Sequence, residues 1–122
     1  VVDASALAAL LFGEPEDGEI AARLEGARLV APFLLGFELA SVCLKKARSH
    51  PDRRGELVQA FRLRDRLGIE SAAVDYDDVV DLASATGLTV YDASYLWLAR
   101  HLDAELVTLD RRLAQAERAA RA

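Results

Sequence analysis

The sequence predicts an α/β domain, a parallel sheet with helices on both faces. Two observations carry this. Short apolar segments alternate with longer segments of helical periodicity along the whole chain. Two of the apolar segments end directly on an aspartate that opens the next helix, Asp3 and Asp110. Ligands of such sheets bind outside the carboxyl ends of the strands, so both positions are candidates for function as well as structure.

The elements follow in order. Val1-Val2 reads as the end of a buried strand that delivers Asp3. Ala4 to Phe12 has the composition of a helix, and Gly13-Glu14-Pro15 stops it. Residues 16–25 carry Ile20, Ala21 and Leu24 at helical spacing. Arg28 to Ala31 is a short strand before Pro32. Phe33 to Arg48 is helical, and Pro51 ends it. Residues 52–67 form one further helix, with Leu57, Val58, Phe61 and Leu67 as its apolar positions. Ile69 to Val74 is a strand, Asp77 to Thr86 a helix ended by Gly87, and Val90 to Leu102 a strongly apolar helix. Leu106 to Leu109 is the last strand, and a helix runs from Arg111 onward. No repeat, linker or low-complexity segment interrupts the pattern, so residues 1–122 form a single domain.

Composition narrows the class. A chain of 122 residues with 52% hydrophobic and 29% charged residues can bury a core, and is neither a disordered tail nor a membrane protein. The single cysteine, Cys43, excludes a disulfide framework and a zinc ribbon and points to a reducing, cytoplasmic setting. The longest apolar run, Leu29 to Phe37, is broken by Pro32 and Gly36, so no membrane span is expected. Ala4 to Phe12 follows an acid and lacks a basic flank, unlike a signal peptide. The chain contains no methionine, so a segment is expected before Val1.

The net charge of −5 argues at first against a nucleic-acid partner. Its distribution argues otherwise. Residues 45–66 hold 8 bases and 3 acids, and residues 111–122 hold 4 bases and 1 acid, while the rest of the chain is acidic. Such runs are commonly solvated helix faces. Arginine, which makes up 13 of the 15 bases, also suits bidentate phosphate contact.

Four acids stand out. Asp3 and Asp110 each fit a helix N-cap as well as a ligand role. Asp92 fits a first helical turn, yet shares a face with Leu96 and Ala99, which turns it inward. Glu38 is no cap. Its helical neighbours Leu34, Leu35, Ser41 and Val42 include no base, so it is exposed, protonated, paired at long range or bound to a cation. If the four converge, repulsion matters: two carboxylates about 4 Å apart repel by roughly 4 kcal/mol at an effective dielectric of 20. Protons or a divalent ion must then compensate. All-oxygen ligation without a histidine or cysteine cluster suits Mg²⁺ or Mn²⁺.

Four fragments carry a family resemblance: Val1-Val2-Asp3-Ala4-Ser5, Pro32-Phe33-Leu34-Leu35-Gly36-Phe37-Glu38-Leu39-Ala40, the stretch from Gly87 to Ala99, and the stretch from Ala104 to Leu113. With gaps of 35, 54 and 18 residues between the acids, the chain resembles a PIN-domain ribonuclease of the VapC-type toxins over nearly its whole length. The resemblance implies a three-layer α/β/α PIN-like fold with a central parallel sheet. It implies a Mg²⁺- or Mn²⁺-dependent endoribonuclease, a homodimer and a cognate antitoxin. The family's acidic positions fall on Asp3, Glu38, Asp92 and Asp110, as catalytic residues and metal ligands. Its small polar residue near the first acid falls on Ser5 and its threonine before the last acid on Thr108, both supporting carboxylates or water. Arg53, Arg54, Arg62, Arg64, Arg111 and Arg112 are the candidates for RNA or antitoxin contact.

Other readings compete. A phosphatase of the haloacid-dehalogenase kind needs a second aspartate two residues after the first, where Ser5 stands. A receiver domain needs a lysine after its last strand, and the only lysines are Lys45 and Lys46. A catalytically silent binding module of the PIN fold fits the same motifs. His50 and His101 belong to no triad or metal pattern. Tyr95 and Trp97 read as core or dimer contacts.

Overall fold

The computed structural model describes residues 1–121. Seven helices form: α1 (Ala4–Leu11), α2 (Asp17–Leu24), α3 (Leu35–Ser49), α4 (Arg54–Arg62), α5 (Tyr76–Thr86), α6 (Val90–His101) and α7 (Arg111–Arg121). Two strands, β1 (Val30–Pro32) and β2 (Glu70–Ala72), pair in parallel from Val30↔Glu70 to Pro32↔Ala72. Val2 and Val107 make an isolated parallel bridge. The Val2 amide also donates to the Val30 carbonyl at 3.2 Å, which joins the bridge to the sheet. Four chain segments thus lie side by side in the order β2, β1, Val2, Val107.

That order sets the layers. From Val2 the chain steps to β1 and then to β2 through α1–α2 and α3–α4, always in one direction across the sheet. It returns to Val107 through α5–α6 in the other direction. Right-handed crossovers then put α1–α4 on one face and α5–α6 on the other. Packing agrees, with α1 against α2 and α3, α3 against α4, α5 against α6, and α6 against α7. The core between the layers contains Val2, Leu7, Ile20, Leu39, Val79, Leu96 and Leu113, all nearly devoid of solvent contact. Among the described residues, no helix is long and apolar enough to cross a membrane.

Three elements differ from expectation. Leu106 to Leu109 makes one bridge rather than a strand, because its second half bends into hydroxyl bonds described below. The strand expected at Arg28 to Ala31 pairs over Val30–Pro32. The helix expected over 52–67 is interrupted: 3₁₀ turns occupy Pro51–Arg53 and Leu63–Leu67, flanking α4. Arg64 folds back so that its Nη1 donates to the Phe61 carbonyl at 3.1 Å, with its guanidinium 4.0 Å from the Phe61 ring centre. That bond occupies a carbonyl a continuing α-helix would use, and the tighter turn ends at Gly68 in the left-handed conformation.

Because α1 opens on Asp3, its anchorage in the core matters for the site. Leu7 is its fully buried side chain. Leu7→Ala is expected to lower stability by about 2–5 kcal/mol, read from the urea midpoint.

Candidate active site

Adjacent segments at Val2 and Val107 send the chain to opposite faces, into α1 and α7. In open parallel sheets, ligands bind at such a switch point. Asp3 occupies it. In extended conformation (φ −98°, ψ 175°) it caps α1, its Oδ1 accepting from the Ala6 amide at 3.1 Å and the Ser5 hydroxyl at 2.8 Å. Its Oδ2 accepts from the Thr108 hydroxyl at 2.5 Å. Each hydroxyl in turn accepts a backbone amide: Ser5 Oγ from Leu109 at 2.9 Å, Thr108 Oγ1 from Asp110 at 3.0 Å. Each hydroxyl has one proton, and both protons point at Asp3, so the 3.3 Å approach between Ser5 and Thr108 carries none. Asp3 is only 4% exposed. Burial pushes its carboxyl above the ordinary range; the bonds from Thr108, Ala6 and Ser5 oppose this, and the Asp110 charge adds to it.

Glu38 projects from α3, half-buried, and its partner is distant in sequence: Tyr95 Oη on α6 donates to Glu38 Oε1 at 2.6 Å. Burial raises the Glu38 carboxyl, the Tyr95 bond opposes, and the charges of Asp92 and Asp3 raise it further. A cavity of about 480 Å³ lies beside Glu38, lined also by Leu34, Phe37, Ser41 and Tyr91. Asp92 stands in the first turn of α6, where Thr89 caps the helix by accepting the Asp92 amide at 3.1 Å. Burial raises its carboxyl first and the Asp110 charge second, while a bond from Thr89 and the charge of Arg112 lower it. Asp110 caps α7, its Oδ1 accepting from the Leu113 amide at 3.0 Å.

The four acids therefore feel one another in a connected set: Asp3 with Asp110 and Glu38, Glu38 with Asp92, Asp92 with Asp110. Among the described residues, no three Asp, Glu, His or Cys side chains are gathered tightly enough to hold an ion as they stand. The convergence is electrostatic, short of a closed ligand cage. The donor set still fits a hard divalent cation: it is all carboxylate oxygen, and three of its members are held above their ordinary pKa by burial and mutual repulsion.

The basic residues divide. The charge of Arg112 reaches Asp92; its Nη2 also donates at 3.0 Å to the carbonyl of Gly87, the left-handed C-cap of α5. Arg53 pairs with Glu56 at 3.4 Å, and Arg64 is folded onto Phe61. Arg54, Arg62 and Arg111 are exposed. Sequence reading missed two participants. Tyr95 read as core, although its place one helical turn after Asp92 was a signal. Thr89 was passed over, although Thr before an apolar helix with Asp at the third position is a capping signature.

This chain belongs to the PIN-domain family, which matches residues 1–119. Within that family it is of the VapC type: it is 38% identical over 121 residues to Ribonuclease VapC3 of Pyrobaculum aerophilum, across 94% of this chain and 92% of that one. The fold matches the crystal structure of PAE2754 from the same organism with a TM-score of 0.78 and 28% identity, over 94% of this chain and 82% of that chain.

Two outcomes follow from the geometry. Thr108→Val keeps the shape but leaves Asp3 Oδ2 without its donor and the Asp110 amide without its acceptor. A loss of about 1–3 kcal/mol is expected by urea denaturation. The second concerns pH. A carboxyl whose pKa is higher in the folded than in the unfolded state favours folding at low pH, and that advantage disappears as pH rises through the folded pKa. For Asp92 the window opens at the ordinary value of 3.8 and extends upward. In EDTA, wild-type protein should therefore lose stability relative to Asp92→Asn as the pH is raised from about 4 to 7. Parallel stability curves for the two proteins would show that Asp92 carries no such shift.

Proposed function

We propose that this chain is a VapC-type endoribonuclease, the toxin of a toxin–antitoxin pair, which hydrolyses RNA phosphodiester bonds with a Mg²⁺ or Mn²⁺ ion. The observation that carries this is 38% identity to a ribonuclease along 94% of the chain. The charge-crowded acids are consistent with it. Asp3, Glu38, Asp92 and Asp110 would hold the ion. A divalent ion at this position supplies Lewis-acid polarisation of the scissile phosphate and makes water a competent nucleophile near neutral pH.

The remaining roles fall to the chain itself. Ser5 and Thr108 fix both oxygens of Asp3, so that it meets a ligand in one orientation. The backbone amides at Leu109 and Asp110, bound to those hydroxyls, hold the Asp110 segment against Asp3. Arg112, beside Asp92, offsets part of the negative potential that RNA meets on approach. Arg53, Arg54, Arg62, Arg64 and Arg111 are assigned to flanking phosphates or to the antitoxin. The protein would act in the cytoplasm as a homodimer, with the cognate antitoxin covering the acids.

The test is cleavage. Protein freed of any antitoxin is expected to cut single-stranded or loop RNA internally with Mn²⁺ and to stop when EDTA is added, because unstacked segments let a phosphate turn for in-line attack. Asp110→Asn keeps the cap on α7 while removing a charge. Loss of cleavage at unchanged stability assigns Asp110 to the ion; retained cleavage leaves it a cap. Wild-type protein inert towards RNA in Mn²⁺ would favour the catalytically silent binding module.

A further inference from the structure

Tyr95 is the largest fully buried side chain of α6, only 1% exposed, yet its hydroxyl does not end on a nearby backbone carbonyl. It crosses to α3 and donates to Glu38 Oε1 at 2.6 Å, the short distance of a charge-assisted bond. Its ring is locked by the core, so the hydroxyl is a fixed point. Glu38 is the opposite, a flexible side chain with three rotatable bonds, and its polar neighbour one helical turn on, Ser41, makes no hydrogen bond to it. Among the described residues Glu38 Oε2 accepts no hydrogen bond. By contrast both oxygens of Asp3 are already engaged by donors of this chain.

We propose that Tyr95 is a positioning residue for Glu38: its hydroxyl holds Oε1, and Oε2 is thereby the oxygen offered to the ion. This rests on the reading of the four acids as a metal-dependent hydrolytic site. The physical gain is preorganisation. An unrestrained glutamate would lose rotamer freedom when it binds an ion, and a fixed donor removes that loss beforehand. One helix then controls two acids, since α6 carries Asp92 itself and orients Glu38 through Tyr95.

A merely structural Tyr95 would fill the core and satisfy its own hydroxyl. Tyr95→Phe separates the two roles, because it keeps the ring and removes only the hydroxyl. The Mn²⁺ dissociation constant of RNA-free protein, measured by titration calorimetry, is expected to rise about 10- to 100-fold, as for other groups that orient metal ligands. The kcat for RNA cleavage should fall while KM for RNA stays unchanged. In a Glu38→Gln background the same substitution should change neither quantity further, because Tyr95 acts only through that carboxylate. Unchanged Mn²⁺ affinity and kcat in Tyr95→Phe, with active wild-type protein, would overturn this inference alone. Equal losses in both backgrounds would also overturn it. Wild-type protein that neither binds Mn²⁺ nor cleaves RNA would overturn the hydrolytic reading and this inference together.

Discussion

One buried carboxylate holds this molecule's functional edge together. Asp3 accepts three hydrogen bonds: two from the helix it caps, through the Ala6 amide and the Ser5 hydroxyl, and one from Thr108 more than a hundred residues away. The ladder between Val2 and Val107 is a single bridge, too little to fix the two segments by itself. The hydroxyl bonds do that work beyond the bridge, and they also direct the Asp110 amide toward Thr108. Helix start, sheet edge and acid placement are therefore one arrangement around one anion. An uncompensated buried anion is costly, so this one is surrounded by donors.

The same economy produces tension around it. Three carboxyls lie above their ordinary pKa, and among the described residues the basic charge acting on them is that of Arg112 on Asp92. A fold selected only for stability would replace such a set with apolar or amide side chains. The repulsion among these carboxylates is also the attraction that a divalent ion would meet, which is the physical basis of the proposed metal role. The core beneath is ordinary by comparison, built of Leu, Ile, Val and Ala in well-buried positions.

Much of this was legible in the sequence, for local reasons. Asp3 and Asp110 declare themselves because an apolar segment ends on each and a helix begins. The cap accounts for one oxygen of Asp3, which accepts from the Ala6 amide, and the other meets Thr108. Glu38 was found by elimination, because no residue within its helical turn could neutralise it. Its actual partner, Tyr95, lies 57 residues away and is dictated by how α3 and α6 pack, which no local pattern encodes. The break after α4 escaped for a related reason. The apolar spacing from Leu57 to Leu67 suits a helix, and only the return of Arg64 onto Phe61 shows why it tightens. Likewise Leu106 to Leu109 has the composition of a strand but diverts its amides to side-chain hydroxyls.

The pairing of Val2 with Val107 has a consequence for the order in which this chain comes into being. A ribosome releases the chain from its amino end, so α1 can form early, but Asp3 has no Thr108 to meet until the last strand segment has emerged. Contacts of such long sequence separation form late, after their loop-closure cost has been met. The acid cluster is thus completed by the segment around Val107, and a translation product halted before Leu106 carries three of the acids without the segment that organises the first. Synthesis itself acts as a timer: the nascent polypeptide lacks the hydroxyl bonds that fix Asp3 until residues 106–110 have emerged.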